Sequence, residues 1–221
     1  MKKQSGFTLI ELAIVLVIIG LLLGGVLKGQ ELINSAKVKN MASDFKNIQV
    51  YIYGYQDKYK ALPGDDASAN AHLGSACTTA PVTTCAAANG THGNGVIEGN
   101  WNDAAAADSE AFRFWQQVRV AGLAPGATNN ADANYIPRNA DGGQIGVESV
   151  SQLTTITGMT GAFAICSDAI LGKFAKQLDV TLDDGETSTG SVRAVVSNTS
   201  GAGVTTALIN DSLTYTVCMS F

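Results

Sequence analysis

Residues 6–27 read GFTLIELAIVLVIIGLLLGGVL. From Phe7 to Leu27 the run holds one charged residue, Glu11. About 20 apolar residues at ~1.5 Å each cross a hydrocarbon layer of roughly 30 Å. Lys2 and Lys3 precede the run, which puts the first residues in the cytoplasm and the bulk of the chain across the membrane. A cleavable secretory signal would have a shorter apolar core and an A-x-A-like site behind it. Here the run passes into Lys28-Gly29-Gln30-Glu31 without such a site, and the small residues Gly24 and Gly25 are what keep that reading open.

Outward from the run, a second helical pattern follows. Val38, Met41, Phe45, Ile48, Ile52, Tyr55, Tyr59 and Leu62 recur in alternating steps of three and four, with Lys37, Lys39, Asn40, Asp44, Lys46, Asn47 and Gln49 between them. Pro63-Gly64 closes the pattern, because proline cannot continue the hydrogen-bond ladder. The spacing predicts one long helix from Phe7 to about Leu62, with a membrane half over 7–27 and an amphipathic half over 28–62. Such a stripe suits a dimeric coiled coil or a seat on a β-sheet. Tyr51, Tyr53 and Tyr55 widen the apolar face beyond a narrow seam and favour the sheet.

A lone carboxylate such as Glu11 in a membrane helix costs several kcal/mol and usually marks function. An interfacial or protonated Glu is the plainer account. The surrounding residues decide. Gly6-Phe7-Thr8-Leu9-Ile10-Glu11, behind a short basic leader and ahead of an apolar run, resembles the signal of type IV prepilins and of type II secretion pseudopilins. That resemblance implies a leader over 1–6, cut by a membrane-embedded prepilin peptidase between Gly6 and Phe7, with methylation of the new Phe7 amine. It implies a partner for Glu11 as well: the Phe7 amine of a neighbouring subunit, which lowers the cost of burying either charge and sets subunit stagger. The expected partners are further copies or other pilins in a helical filament, and an inner-membrane assembly platform. The expected location is the bacterial inner membrane before assembly, then a pilus at the cell surface or a periplasmic pseudopilus. Gly20 and Gly24 form a small-xxx-small pair that lets helices approach closely. Gly20, Gly24 and Gly25 are also the expected points of helix loosening, at about 1 kcal/mol each relative to Ala.

The remainder, 63–221, reads as a globular head. Its four cysteines, Cys77, Cys85, Cys166 and Cys218, allow three pairings. Cys77–Cys85 is favoured by nearness in sequence, and Cys166–Cys218 because both fall on candidate neighbouring strands. Residues 64–108 are rich in Ala, Gly, Asn and Thr and read as a loose connecting segment, like the one between pilin stalk and sheet. Asp108-Ser109-Glu110 reads as a helix start, with Phe112, Trp115, Val118 and Leu123 as the apolar face and Gly122 as the stop. Gln144–Ser149, Gly161–Cys166, Ser191–Ser197 and Leu213–Ser220 read as strands of an antiparallel sheet. Ser167 to about Leu182 fits a helix, with Leu171, Phe174, Leu178 and Leu182 on one side. The fold class is therefore α+β: a long N-terminal helix packed on a small antiparallel sheet, with extra short helices and two disulfides. The stretches SEAFRFWQQVRVAGL and LDVTLDDGETSTGSVRA also resemble segments of pilin-like proteins.

Little here points to chemistry or a cofactor. No CxxC, G-x-S-x-G, P-loop or HExxH occurs, and His72 and His92 fall in polar loops without catalytic neighbours. Asn94-Gly95 with Glu98 fails the calcium-loop pattern, since Gly90 and His92 stand at ligand positions. Asp183-Asp184-Gly185 reads first as a turn. The resemblance suggests Asp183, Asp184 and Glu186 as calcium candidates, because some pseudopilins hold calcium through acidic loop residues. The 14 basic residues face 19 acidic ones, and Arg113 and Arg119 make only a sparse positive cluster in the second half, so the head is not expected to bind nucleic acid. The expected function is that of a structural subunit of a type IV pilus serving adhesion, motility or DNA uptake. The alternative is a pseudopilin of type II secretion, and the lesser one a membrane-anchored surface protein that does not polymerise.

Overall fold

The computed structural model of the chain describes residues 8–77, 84–105 and 107–221. Gly6 and Phe7, the expected cleavage and methylation positions, lie outside the described residues. The chain forms two compact units, one ending at Lys37 and the other Val38–Phe221. A single helix, α1 (Leu9–Tyr59), contributes to both.

In the first unit α1 is continuous through Gly20, Gly24 and Gly25, and its apolar side chains face outward. The helix is long and apolar enough to cross a membrane.

In the second unit the heptad-like stripe is the buried face of α1: Val38, Met41, Phe45, Ile48, Ile52 and Tyr55 are all in the core. The helix stops at Tyr59, three residues before the expected end at Leu62, because Lys60 turns into left-handed backbone with φ 57°. Leu62 is nevertheless buried, so the stripe outlasts the helix.

The stripe packs on a four-stranded antiparallel sheet of β1 (Ile145–Ser149), β2 (Phe163–Leu171), β3 (Val192–Val196) and β4 (Thr214–Ser220), in the order β1-β2-β4-β3. Side chains alternate faces along a strand. Val147, Phe163, Ile165, Val192, Ala194, Val217 and Met219 join the α1 core. Ala164, Cys166, Val195 and Cys218 face the other way, under Trp101, Ile156 and Met159. Both faces are thus covered, which is why β1 is buried at every residue. Cys166 and Cys218 are directly opposed in the β2–β4 register and joined, with Cα atoms 4.0 Å apart, and Cys77 is joined to Cys85. Both expected pairings are present.

Two short helices precede the sheet: α2 (Ala69–Leu73), and α3 (Glu110–Val120), whose N-cap Ser109 accepts from the Phe112 N–H. Gly122, just past α3, has φ +77°, the left-handed stop that the sequence suggested.

The segment after β2 corrects one expectation. Ser167–Leu171 is strand, and α4 begins only at Gly172 and runs to Leu182. The cause is a bulge. Ser167 pairs with Val217 and Ile170 with Tyr215, so three steps on β2 match two on β4, and Ala169 takes φ 56°. The extra residue returns Ile170 to the α1 face. At the bulge the Asp168 carboxylate accepts from the Ser197 and Thr216 hydroxyls at 2.6 and 2.7 Å.

Candidate functional site

The first candidate is the beginning of α1. Thr8 is its N-cap. The Glu11 N–H donates to Thr8 Oγ1 at 3.3 Å, while the Thr8 N–H donates back to Glu11 Oε2 at 2.8 Å and the Thr8 hydroxyl donates to the same oxygen at 2.7 Å. This is a reciprocal capping box, T-x-x-E, which satisfies otherwise orphaned backbone donors. Sequence reading gave Glu11 a partner on another subunit and missed the one three residues away, although the spacing carried the signal. Behind it lies an unpartnered apolar surface. Leu9, Ile10, Leu16, Leu21, Leu22 and Leu27 are each at least 63% exposed. Around Gly20, Gly24 and Gly25 a methyl group would meet nothing within 4 Å. Another helix could approach closely at these positions.

The second candidate is the segment after α1, which is built rather than loose. Asp65 is buried and its carboxylate accepts from the backbone N–H groups of Gly93, Asn94 and Gly95. Buried Asp66 accepts from the Tyr55 hydroxyl at 2.8 Å and meets His72 Nδ1 at 2.7 Å, with the His72 ring stacked on Tyr59. Tyr59, Asp65, Asp66 and His72 line a cleft of about 580 Å³ together with Gln56, Leu62, Gly93 and Gly95. His72 lies on α2 and is not a free loop histidine. His92 meets fully buried Glu110 at 2.7 Å, and Glu110 also accepts from the Glu98 N–H at 2.9 Å. Burial holds the Glu110 carboxyl above its usual range despite those two contacts. Such networks fix loops.

The two arginines do not form a basic surface. Arg113 is paired with Asp108 and donates to Gln116 Oε1 and the Thr84 carbonyl. Arg119 donates to the carbonyls of Pro125, Ala127 and Tyr135. Both are buried and spent on carbonyls and carboxylates.

The third candidate is the acidic turn after α4. Glu186 is committed: its Oε1 accepts from the Thr206 N–H at 2.9 Å and the Ser188 hydroxyl at 2.8 Å, which lowers its pKa. Asp183 Oδ2 accepts from the N–H groups of Ser191 and Val192. The structure instead brings Asp183 and Asp184 together with Asp179, one carboxylate oxygen of each lying within 4.8 Å of the others. Of the three acidic residues that the resemblance suggested, Asp183 and Asp184 thus stand beside Asp179, a helix residue that the sequence reading passed over.

Compared with known proteins, residues 1–27 match the family model described as the prokaryotic N-terminal methylation motif. No curated protein and no solved structure matches the chain. The chain therefore carries the class signal of type IV pilins and pseudopilins at the head of a long hydrophobic helix, joined to a pilin-like α+β fold.

Proposed function

We propose that this chain is a structural subunit of a type IV pilus, cut by prepilin peptidase between Gly6 and Phe7, methylated on Phe7, and polymerised through the apolar half of α1. The observation that carries the reading is the pairing of the methylation motif with an exposed apolar helix half that bears one carboxylate, Glu11. Before assembly that helix lies in the inner membrane. Its apolar surface then leaves lipid for a protein core made of other copies. A head-to-tail interface that does not close yields a helical fibre. Glu11 exchanges its Thr8 contacts for the Phe7 amine of a neighbour and so sets the stagger. Gly20, Gly24 and Gly25 permit close helix approach and local loosening within the fibre.

The short basic leader and Phe7 resemble type IVa prepilins and favour a pilus over a secretion pseudopilus. Intact-mass analysis of the mature protein tests the processing. The expected chain starts at Phe7 and is one methyl group heavier than its sequence. A chain retaining residues 1–6, or starting near residue 30, overturns the reading. Imaging a deletion strain tests the machine. Loss of surface fibres supports the pilus, whereas loss of protein export with fibres intact assigns the chain to a type II secretion pseudopilus.

A further inference from the structure

The outer face of the sheet, opposite the α1 stripe, carries a cleft of about 370 Å³. That volume lies within the roughly 300–1,000 Å³ range of small-ligand clefts. Strand alternation puts Asp168 on this face, two residues after Cys166, and Thr216, two residues before Cys218. Trp101 lines the cleft with its indole fixed, since Nε1–H donates to Thr155 Oγ1 at 2.9 Å. Asn102, Asn198 and Ser200 line it too, and their side chains hold no hydrogen bond among the described residues. Lone exposed polar groups are common; these converge on one concave surface.

Asp168 is the best-held group of that surface. Its N–H donates to the Gln144 carbonyl at 3.0 Å, and its own carbonyl accepts from Asn139 Nδ2 at 2.7 Å. Gly143 approaches that carbonyl so closely that a Cβ would stand 1.8 Å from its oxygen. Oδ1 accepts both the Ser197 and the Thr216 hydroxyls, whereas Oδ2 accepts from no group among the described residues. Anchoring the bulge explains Oδ1 and leaves Oδ2 without a role. Ala169, next to it, and Asn198, across the cleft lining, take left-handed backbone at φ 56° and 61°. Such outliers collect at ligand clamps, and bulges re-aim side chains beside sites.

We propose that this cleft binds a neutral saccharide, with Asp168 Oδ2 accepting from sugar hydroxyls and with Asn102, Asn198 and Ser200 exchanging hydrogen bonds with the others. The lining decides the class. It contains no Lys, Arg or His, so nothing there pairs with a phosphate or a ligand carboxylate, and Asp168 repels both. It contains one aromatic ring, too little apolar surface for a lipid. Amides and hydroxyls both donate and accept, which matches the hydroxyls of a sugar ring. The bond to the carboxylate is charge-assisted and is the strongest of the set. Trp101 offers an apolar wall to the C–H groups of the ring.

The test uses the full chain in micelles of a detergent without a sugar headgroup, because a maltoside would compete. Glucose, galactose, N-acetylglucosamine and lactose are titrated, with saturation-transfer NMR and tryptophan emission as readouts. At least one of them is expected to bind saturably and one to one, and to shift the emission of Trp101. N-acetylneuraminic acid, which carries a carboxylate, is expected not to bind. Asp168→Asn keeps the Oδ1 acceptor for Ser197 and Thr216 and turns the free oxygen into a donor. It is expected to weaken binding by about tenfold or more, the loss of one hydrogen bond to a charged group, with the thermal midpoint unchanged. Asn198→Gly keeps the left-handed backbone and removes the side chain, and is expected to weaken binding several-fold. No saturable binding of these neutral sugars at tens of millimolar by the folded chain overturns the proposal. So does undiminished binding by both variants, or acidic sugar bound as tightly as neutral.

Discussion

The hydroxyl of Thr8 donates to Glu11 Oε2 at 2.7 Å, so in the single subunit the one carboxylate of the apolar half of α1 is already engaged. This contact competes with the intersubunit pairing proposed for Glu11. Thr8→Ala removes the side-chain half of the capping box, at about 1 kcal/mol of helix-end stability, and frees the carboxylate for a neighbour. The expected outcome is filament yield equal to or above that of the native chain, with mature mass unchanged. Glu11→Ala removes both functions and is expected to reduce filaments severely while the head stays folded. Sheared-filament yield and head circular dichroism measure the two. Equal loss in both variants would mean that Glu11 acts only as a cap.

The two disulfides differ in what they constrain. Cys166 and Cys218 are 52 residues apart, and Cys77 and Cys85 only eight. By loop-closure entropy, the long bridge is worth about 4 kcal/mol and the short one about 2.5 kcal/mol. Urea unfolding of Cys166→Ala/Cys218→Ala and of Cys77→Ala/Cys85→Ala is expected to rank them in that order. The long bridge also sits in the core under Trp101, so its removal costs packing as well.

Much of this architecture was legible because its signals are local. The apolar run before Leu27 and the stripe from Val38 to Tyr55 repeat with the helix period, and the four strands fall within two residues of their expected starts. What was hidden depends on residues far apart in sequence. Ser167-Asp168 looks like a helix cap. In the fold the Asp168 carboxylate instead accepts hydroxyls 29 and 48 residues away, and the strand continues through its bulge. The segment 64–108 looks loose by composition, yet Asp65 gathers backbone donors 28 to 30 residues on. Asp179 reads as an ordinary polar helix residue, and only the side on which α4 packs reveals that it is buried.

Stability should fall as pH rises through the neutral range. Glu148 on β1 is buried, with Oε2 unpartnered; burial pushes its pKa up to about 8, with Asp103 adding to the shift and the Trp101 N–H opposing it. Below about pH 4.5 the group is protonated in both states and contributes nothing to the pH dependence. Between about 4.5 and 8 the unfolded chain ionises while the folded chain keeps its proton, so stability declines by up to about 1.4 kcal/mol per pH unit. Asp179, raised to about 7 mainly by burial and then by Asp184 and Asp183, adds a decline of the same sign. Urea unfolding of Glu148→Gln is expected to show a shallower decline from pH 5 to 8 and higher stability at pH 8. An unchanged slope would mean that Glu148 is ionised in the folded chain.

Gly146 is where the outer layer meets the sheet. A Cβ placed there would stand 1.7 Å from the Trp101 carbonyl oxygen, a backbone atom that cannot step aside alone. The backbone at Gly146 is ordinary strand, so Gly146→Ala tests close approach and not conformational freedom. Overpacking in a rigid core costs typically 1–3 kcal/mol, and a backbone collision of this depth is expected to reach about 3 kcal/mol or to lift the loop carrying Trp101. Lifting it would expose the Trp101 indole, whose Nε1–H donates to Thr155 Oγ1 at 2.9 Å, and would uncover Glu148 and the Cys166–Cys218 bridge. Tryptophan fluorescence should then shift to the red, because Trp115, the other indole, lies in the α1 core and keeps its surroundings. A native emission maximum together with native stability would show that the outer loop adjusts without cost, and that the sheet face under Trp101 is less tightly covered than its contacts indicate.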